Sequence, residues 1–450
     1  MLNNKMNETI VALSTSSMGL GAISIVRLSG EKAVEIADKI FISFSKKQPK
    51  DFTPRTMELG TLSTSSLKDN CLCVVFKAPN SFTGEDLVEF QTHGGTQIAE
   101  SIIRECISHG ARIAGNGEFT KRAFLNGKMS LASAEGMMDM INAESEAEVR
   151  AGFTLLGGEL SNLAISSQTE LTDILSEIEV SFDYPEEQIE YITKTNVKTR
   201  LQSISANISS VLDNSRNSGI IKNGIKVLIL GKPNVGKSSL LNKLIGKQRA
   251  IVTDIPGTTR DTIEDSFSIN GVKFTVIDTA GIREATDKVE QIGVDIAKEQ
   301  INSADIILFI QDASRSVDNE DLAILNMIKD KNYLIVNNKA DLAKDLPLTG
   351  LIISAATGSG IEELKQELYN KTVKDKINTN GIIITSQRHF DCLSRAKENI
   401  DQAIANIDND TLDLITIDLN LAYSALGEIT GNTTGEDIID AIFSKFCLGK

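Results

Sequence analysis

The sequence predicts a multidomain α+β chain: an N-terminal α/β region, then a helical domain, with a second α/β domain of strand–loop–helix units inserted into the helical one. Three observations carry this reading. A length of 450 residues corresponds to about three domains. From Leu131 the text turns helical, with apolar residues near a period of 3.6 and few breakers in "LASAEGMMDMINAESEAEVRAGFTLL". At Ile225 it changes to strands that run into glycine-rich or polar loops, and after about Lys374 it becomes helical again. The economical division is 1–119, 120–218, 219–376 and 377–450, the second and fourth segments being two parts of one helical domain. Two separate helical domains are the alternative.

Each element follows in order. Residues 9–119 alternate short apolar runs, such as "GAISIVRLSG" and "LVEFQTHGG", with Gly, Asn and Pro79, the texture of strands joined by turns. "CLCVVF" is one such strand, so Cys71 and Cys73 read as half-buried packing; with Cys106, Cys392 and Cys447 scattered, no disulfide or zinc pattern emerges. Helical character continues through "LSNLAISSQTELTDILSEIEVSF", pauses at "DYPEE" and resumes in "VKTRLQSISANISSVLDN". Beyond the insert, "RHFDCLSRAKENIDQAIANI" and "LDLITIDLNLAYSALGEIT" restore it.

Composition narrows the class. Apolar residues make up 41% and charged residues 24%, ordinary for a globular chain. The longest apolar runs, "VLIL" and "IILFI", are strand-sized and far short of a membrane span. The first residues lack the continuous apolar segment of a secretory signal, so a cytoplasmic protein with reduced thiols is expected. A net charge of −15 argues against broad, sequence-independent nucleic-acid binding, although a local basic patch could still hold one RNA.

The strongest chemical signal is "IKVLILGKPNVGKSSLLNKLIG". A buried-strand run feeds directly into G-x-x-x-x-G-K-S, from Gly231 to Ser238, and then into an apolar-periodic helix, the context a P-loop requires. Glycines let the backbone wrap phosphates with its N–H groups pointing inward, and the helix N-terminus adds positive potential. Lys237 is placed for the β- and γ-phosphates and the Ser238 hydroxyl for Mg²⁺. Three more signals follow in order, each at a strand end. "FTVIDTAG" ends in Asp278, suited to the magnesium shell, with Gly281 near the γ-phosphate. "YLIVNNKAD" supplies Asn338-Lys339-x-Asp341, whose aspartate accepts from guanine N1 and the exocyclic amine, hydrogens that adenine does not offer. "LIISAATG" supplies Ser354-Ala355 for the guanine oxygen. A guanine-nucleotide domain is the reading.

Many such domains place a water-orienting Gln after Asp-x-x-Gly; here that place holds Ile282, which cannot hydrogen-bond water. The missing function has to come from elsewhere, or the chain is a slow switch. Asn234, inside the P-loop, could help hold a monovalent cation beside the phosphates in place of an arginine finger; satisfying local backbone is its plainer role. The loop "IVTDIPGTTRD" offers many carbonyls and a switch threonine for Mg²⁺, Thr259.

Taken together, "GKPNVGKSSLLN", "TDIPGTTRD", "DTAGIRE…VEQIG" and the terminal "FCLGK", with "IVRLSG", "NSFTGEDLVEFQTHGG" and "GEFTKRAFLNGK", resemble the MnmE (TrmE) family of tRNA-modification GTPases across essentially the whole chain. The resemblance implies a homodimer whose N-terminal domain, 1–119, binds 5-formyl- or 5,10-methylene-tetrahydrofolate. It implies a flavoprotein partner of the MnmG type, and addition of an aminomethyl or carboxymethylaminomethyl group to C5 of the wobble uridine of certain tRNAs. Potassium-stimulated GTP hydrolysis is implied too, with K⁺ ligands at Asn234, Thr253, Ile255 and Thr258, and Mg²⁺ at Ser238 and Thr259. The implied GTP contacts are Asn234, Val235, Gly236, Lys237, Ser238, Ser239, Thr253, Thr258, Thr259, Asp278, Thr279, Ala280, Gly281, Asn338, Lys339, Asp341, Ser354 and Ala355. Catalytic roles fall on Lys237, on Glu290 as water-orienting carboxylate, and on Cys447. Folate contacts map to Arg27, Glu89, Lys128 and Lys450; taken singly, the first three read as solvated surface charges.

Departures from the family pattern are Pro256, which fixes one φ angle without removing a carbonyl, and Leu448 in the tail. The tail does not fit a prenylation box, which wants two aliphatic residues and a different last residue than Lys450. Cys447 is either a reactive thiol beside a folate one-carbon unit or a structural one. His93, beside Gly94-Gly95, invites a catalytic reading, but a turn-stabilising role is preferred over it. A ribosome-assembly GTPase and a purely conformational switch are the competing functions; the acidic chain carries no basic RNA-binding appendage for the first.

Overall fold

The computed structural model describes residues 8–15, 21–183, 194–246, 265–277, 299–343, 349–374, 381–408 and 412–449. The chain forms two compact units, one of Met1–Met138, Thr154–Ser205 and Cys392–Lys450, the other of Asp139–Phe153 and Ala206–Asp391.

The first unit holds a seven-stranded sheet: β1 Ile10–Leu13, β2 Ile23–Ser29, β3 Phe41–Ser43, β4 Met57–Ser63, β5 Lys68–Phe76, β6 Leu87–His93 and β7 Arg112–Ile113. Their order is β3-β4-β5-β6-β2-β1-β7. Every neighbouring pair is antiparallel except β1 with β7. Side chains alternate across a strand, so one face gathers Val26, Leu28, Cys71, Cys73, Val88 and Phe90. Two helices cover that face, burying Ala33, Ile36, Ala37 and Ile40 from Ala33–Ile40, and Ala99, Ile102 and Cys106 from Thr96–Ser108. Cys71 and Cys73 are therefore fully buried, not half-buried, because their spacing of two puts both on the covered face. Burial, reinforced by nearby Asp69, pushes the Cys71 thiol up to about 12.

The helices of this unit are joined by polar ties. Glu159–Asp183 lies beside Leu412–Thr430, with Gln168 Nε2 donating to the Tyr423 carbonyl at 2.9 Å. Arg200 bridges Glu170 and Glu177, and the Ser205 hydroxyl donates to Asp401 at 2.6 Å. A helix over Glu436–Phe443, which carries no separate signal in the sequence, packs Ile439 and Phe443 with Phe446 against Leu131, Ala134 and Met138.

The second unit holds β8 Ile225–Leu230, β9 Ser266–Ile269, β10 Val272–Ile277, β11 Ile306–Asp312, β12 Tyr333–Asn338 and β13 Leu351–Ile352, in the order β13-β12-β11-β8-β10-β9. All pairs are parallel except the β9–β10 hairpin. Parallel strands covered on both faces read as continuous apolar runs, and "IILFI" does so: Leu308 and Ile310 join one cluster, Ile307 and Phe309 the other. Residues 139–153 belong to this unit, through the Ala147 amide on the Gly271 carbonyl and through Ala151 against Ile221 and Ile383. In such open sheets, ligands bind outside the carboxyl ends of the strands. Here those ends include Leu230, Asp312 and Asn338.

Candidate functional site

β8 ends at Leu230 and the chain turns through Gly231–Gly236 into the helix Lys237–Ile245. The turn needs unusual backbone angles: φ is +152° at Gly231, +61° at Asn234 and +97° at Gly236. Glycine is required for space as well. A Cβ on Gly231 would come within 2.3 Å of the Ile310 carbonyl, and one on Gly236 within 2.2 Å of the Asn338 amide. Val235 is buried and fixes the loop to the core, while Asn234, Ser238 and Ser239 are exposed. Lys237 Nζ lies inside the curl, donating to the carbonyls of Gly231 at 2.5 Å and Lys232 at 2.7 Å.

Asn338 is the joint of the site. From the end of β12 its side-chain nitrogen donates to the Val235 carbonyl at 2.8 Å, and its oxygen accepts the Ala355 amide at 2.9 Å. One buried amide thus locks the P-loop to the segment that carries Ser354 and Ala355. Lys339, at φ +68°, is drawn onto Asp312 at 2.7 Å. Burial alone would raise the Asp312 pKa, but the Lys339 ammonium and the Ser314 hydroxyl and amide outweigh it and hold the carboxyl at about 2. The Ser354 hydroxyl donates to Asp341 at 2.5 Å and fixes that carboxylate. Asn234, Gly236, Lys237, Ser238, Ser239 and Lys339 line one cavity of about 950 Å³. The structure so brings together the P-loop, Asn338-Lys339-x-Asp341 and Ser354-Ala355. Thr253, Ile255, Thr258, Thr259, Asp278, Thr279, Ala280, Gly281 and Glu290 lie outside the described residues, as does Lys450.

In the first unit the residues expected to contact folate engage one another and their surroundings. Register places Arg27 opposite Glu89 on β2 and β6, and the two form an ion pair at 2.7 Å. The Arg27 guanidinium also lies 5.5 Å from the ring centroid of Phe82 and 5.7 Å from that of Phe119. Its charge is therefore committed to Glu89 and two aromatic faces. Lys128 Nζ donates to the Pro79 carbonyl at 2.9 Å, at the start of the loop that carries Phe82. Behind this cluster Arg122, 1% exposed, binds Glu85 and Glu118, and Glu85 accepts the Ser29 hydroxyl at 2.7 Å. Burial would raise the Glu118 pKa, but Arg112, the Gly115 amide and Arg122 together lower it to about 2.

The C-terminal segment is tied down rather than free. Phe446 is buried, the Cys447 carbonyl accepts the Gly117 amide at 3.3 Å, Leu448 bridges to Asn116, and the Ser14 hydroxyl donates to the Gly449 carbonyl at 3.1 Å. Gly449, at φ +89°, allows the approach: a Cβ there would sit 2.1 Å from the Leu13 carbonyl. The Cys447 side chain stays exposed, while its carbonyl meets Gly117, the residue before the helix that carries Phe119. His93 caps the end of β6, its amide donating to Asp69 at 3.0 Å and its Nδ1 lying 2.6 Å from the same carboxylate. Phe82, Phe119 and Lys232 carry no signal of their own, although the two phenylalanines stand inside "NSFTGEDL" and "GEFTKRAF", motifs distinctive enough to have marked them.

Comparison with known proteins shows the family. A model of the MnmE helical domain matches residues 131–447, and one of the GTP-binding protein TrmE N-terminus matches 9–128. The tRNA modification GTPase MnmE of Clostridioides difficile is 40% identical over 457 residues, covering 99% of each chain. The protein of the same name from Acetivibrio thermocellus is 41% identical over 458 residues, covering 98% of this chain and 99% of that one. With whole-length identity at that level, and both family models matched, the chain belongs to the MnmE (TrmE) family of tRNA-modification GTPases.

Proposed function

We propose that the protein is a GTPase acting in tRNA modification, and more finely that it is potassium-stimulated. In this reading it works with a flavoprotein of the MnmG type to add an aminomethyl or carboxymethylaminomethyl group to C5 of the wobble uridine, with carbon from 5-formyl- or 5,10-methylene-tetrahydrofolate. The whole-length likeness to proteins named tRNA modification GTPase MnmE carries the reading. The joint at Asn338 supports its GTP part, because it holds the phosphate loop and the base-reading segments in one frame.

Each residue then has a task. Backbone N–H groups of the P-loop and the Lys237 ammonium bind the phosphates. Asp341, oriented by Ser354, accepts from guanine, and the Ala355 segment faces the guanine oxygen. Ser238 with Thr259 would hold Mg²⁺, which neutralises phosphate charge. Asn234, exposed at the mouth of the loop, with Thr253, Ile255 and Thr258, would hold K⁺. Glu290 orients the attacking water, the role Ile282 cannot fill. Glu89, held by Arg27, presents acceptors to a pterin edge, Lys128 meets the glutamyl carboxylates, and Cys447 stands at the one-carbon unit. Homodimerisation is supported by Ile42, Phe44, Met57 and Leu59, apolar yet at least half exposed at the β3–β4 edge of the sheet. Among the described residues no helix is long and apolar enough to cross a membrane.

The test is GTP turnover in potassium chloride against sodium chloride at equal ionic strength, with tRNA modification assayed separately. Strong potassium stimulation that collapses in Glu290→Ala is expected. Equal slow rates in both salts would remove the cation site while leaving GTP binding in place.

A further inference from the structure

The P-loop contains a second lysine that the phosphate-binding reading does not use. Lys232 is 5% exposed, and burying an ammonium is costly unless it is paired. Its partners are Asp318 and, at 2.8 Å, Asp321. Both carboxylates are themselves fixed by the start of the helix Asn319–Ile328. Asp318 accepts the amides of Glu320 and Asp321, and Asp321 accepts the amide of Asp318. Among the described residues the other oxygen of Asp321, Oδ1, is buried without a hydrogen-bond partner, so Lys232 is the group that offsets this charge.

Two further contacts connect the pair to the nucleotide cavity. The Lys232 carbonyl is one of the acceptors that hold Lys237 Nζ. Ile324 and Met327, from the helix that carries the two aspartates' cap, line the same cavity as Lys237. Lys232 thus links the curl that seats the phosphate-binding lysine to a helix that lines the same cavity.

We propose that Lys232 is a positioning residue for phosphate binding: its ion pairs with Asp318 and Asp321 set where its own carbonyl holds the Lys237 ammonium, and so set the affinity for the nucleotide's phosphates. The inference rests on the guanine-nucleotide reading of this site. Lys232 touches no substrate; it acts through Lys237.

The experiment compares wild type, Lys232→Met, Asp321→Asn and the double variant, all as full-length chains, using a fluorescent GDP analogue, GTP turnover and thermal melting. Each single variant should weaken GDP by a factor of roughly 10–100, the scale of one or two lost charge-assisted hydrogen bonds. KM for GTP should rise by a similar factor and kcat fall by a smaller one, with the GDP-to-IDP preference unchanged because the Asp341 end is untouched. The double variant removes the uncompensated carboxylate, so it should melt above Lys232→Met yet bind GDP no better than it. Recovery of affinity along with melting temperature would reduce the pair to a folding role and overturn the proposal. So would single variants that bind GDP as tightly as wild type. If Lys232→Met does not fold, Asp321→Asn, which keeps the shape of the side chain, decides alone. A wild-type protein that fails to bind GDP would instead reject the underlying site.

Discussion

Replacing Asn338 with Ala tests the frame of the nucleotide site most directly. The substitution deletes two buried hydrogen bonds, to the Val235 carbonyl and from the Ala355 amide, and leaves both backbone groups without a partner in a closed interior. An orphaned buried group costs about 1–3 kcal/mol, so the pair should cost roughly 3 kcal/mol. For a unit of some 150–250 residues that lowers the melting temperature by about 6–12 °C. Scanning calorimetry of the full chain reads this, the relevant transition being the one that GDP shifts upward. Asn338→Asp should do no better. It keeps an acceptor for Ala355 but turns the second oxygen toward the Val235 carbonyl. A loss below about 2 °C in that transition, with GDP affinity within twofold of wild type, would refute the view that this side chain holds the loop in place.

Other outcomes follow from the first unit. Gly449→Ala should detach the C-terminal strap, since its Cβ would meet the Leu13 carbonyl at 2.1 Å; faster amide exchange at Gly117 would report it. Cys447→Ser should abolish tRNA modification and spare GTP turnover, and retained modification would sink the reactive-thiol role. Glu118 has its pKa lowered from 4.5 to about 2, so its contribution to stability is complete above pH 4.5 and is lost as the pH falls toward 2. Acid titration of Glu118→Gln should show a shallower stability loss across that window than wild type.

What could be read beforehand was what is local. The P-loop lies within eight consecutive residues between a strand and a helix, and the long helices announce themselves by period. Long-range pairing was not legible. Arg27 and Glu89 face each other only because β2 and β6 are neighbours in a sheet whose order breaks sequence order. Lys232 meets carboxylates 86 and 89 residues away, at Asp318 and Asp321. The helix Glu436–Phe443 is one short amphipathic stretch whose apolar side has meaning only against Leu131, Ala134 and Met138. Residues 139–153 have the helical texture of their neighbours, and periodicity cannot say which core a helix joins.

The division of the chain also sets an order of assembly. Apart from Asp139–Phe153, the second unit is one continuous stretch, Ala206–Asp391, complete as soon as it leaves the ribosome. The first unit instead waits for Cys392–Lys450, and at about 5–20 residues per second the interval from Ser205 to Gly449 lasts roughly 10–50 s. Throughout that time Leu131, Ala134 and Met138 have no Ile439, Phe443 or Phe446 to cover them. The nascent protein therefore carries a finished nucleotide domain and an uncovered apolar seam together, and chaperone demand during synthesis should fall on the seam.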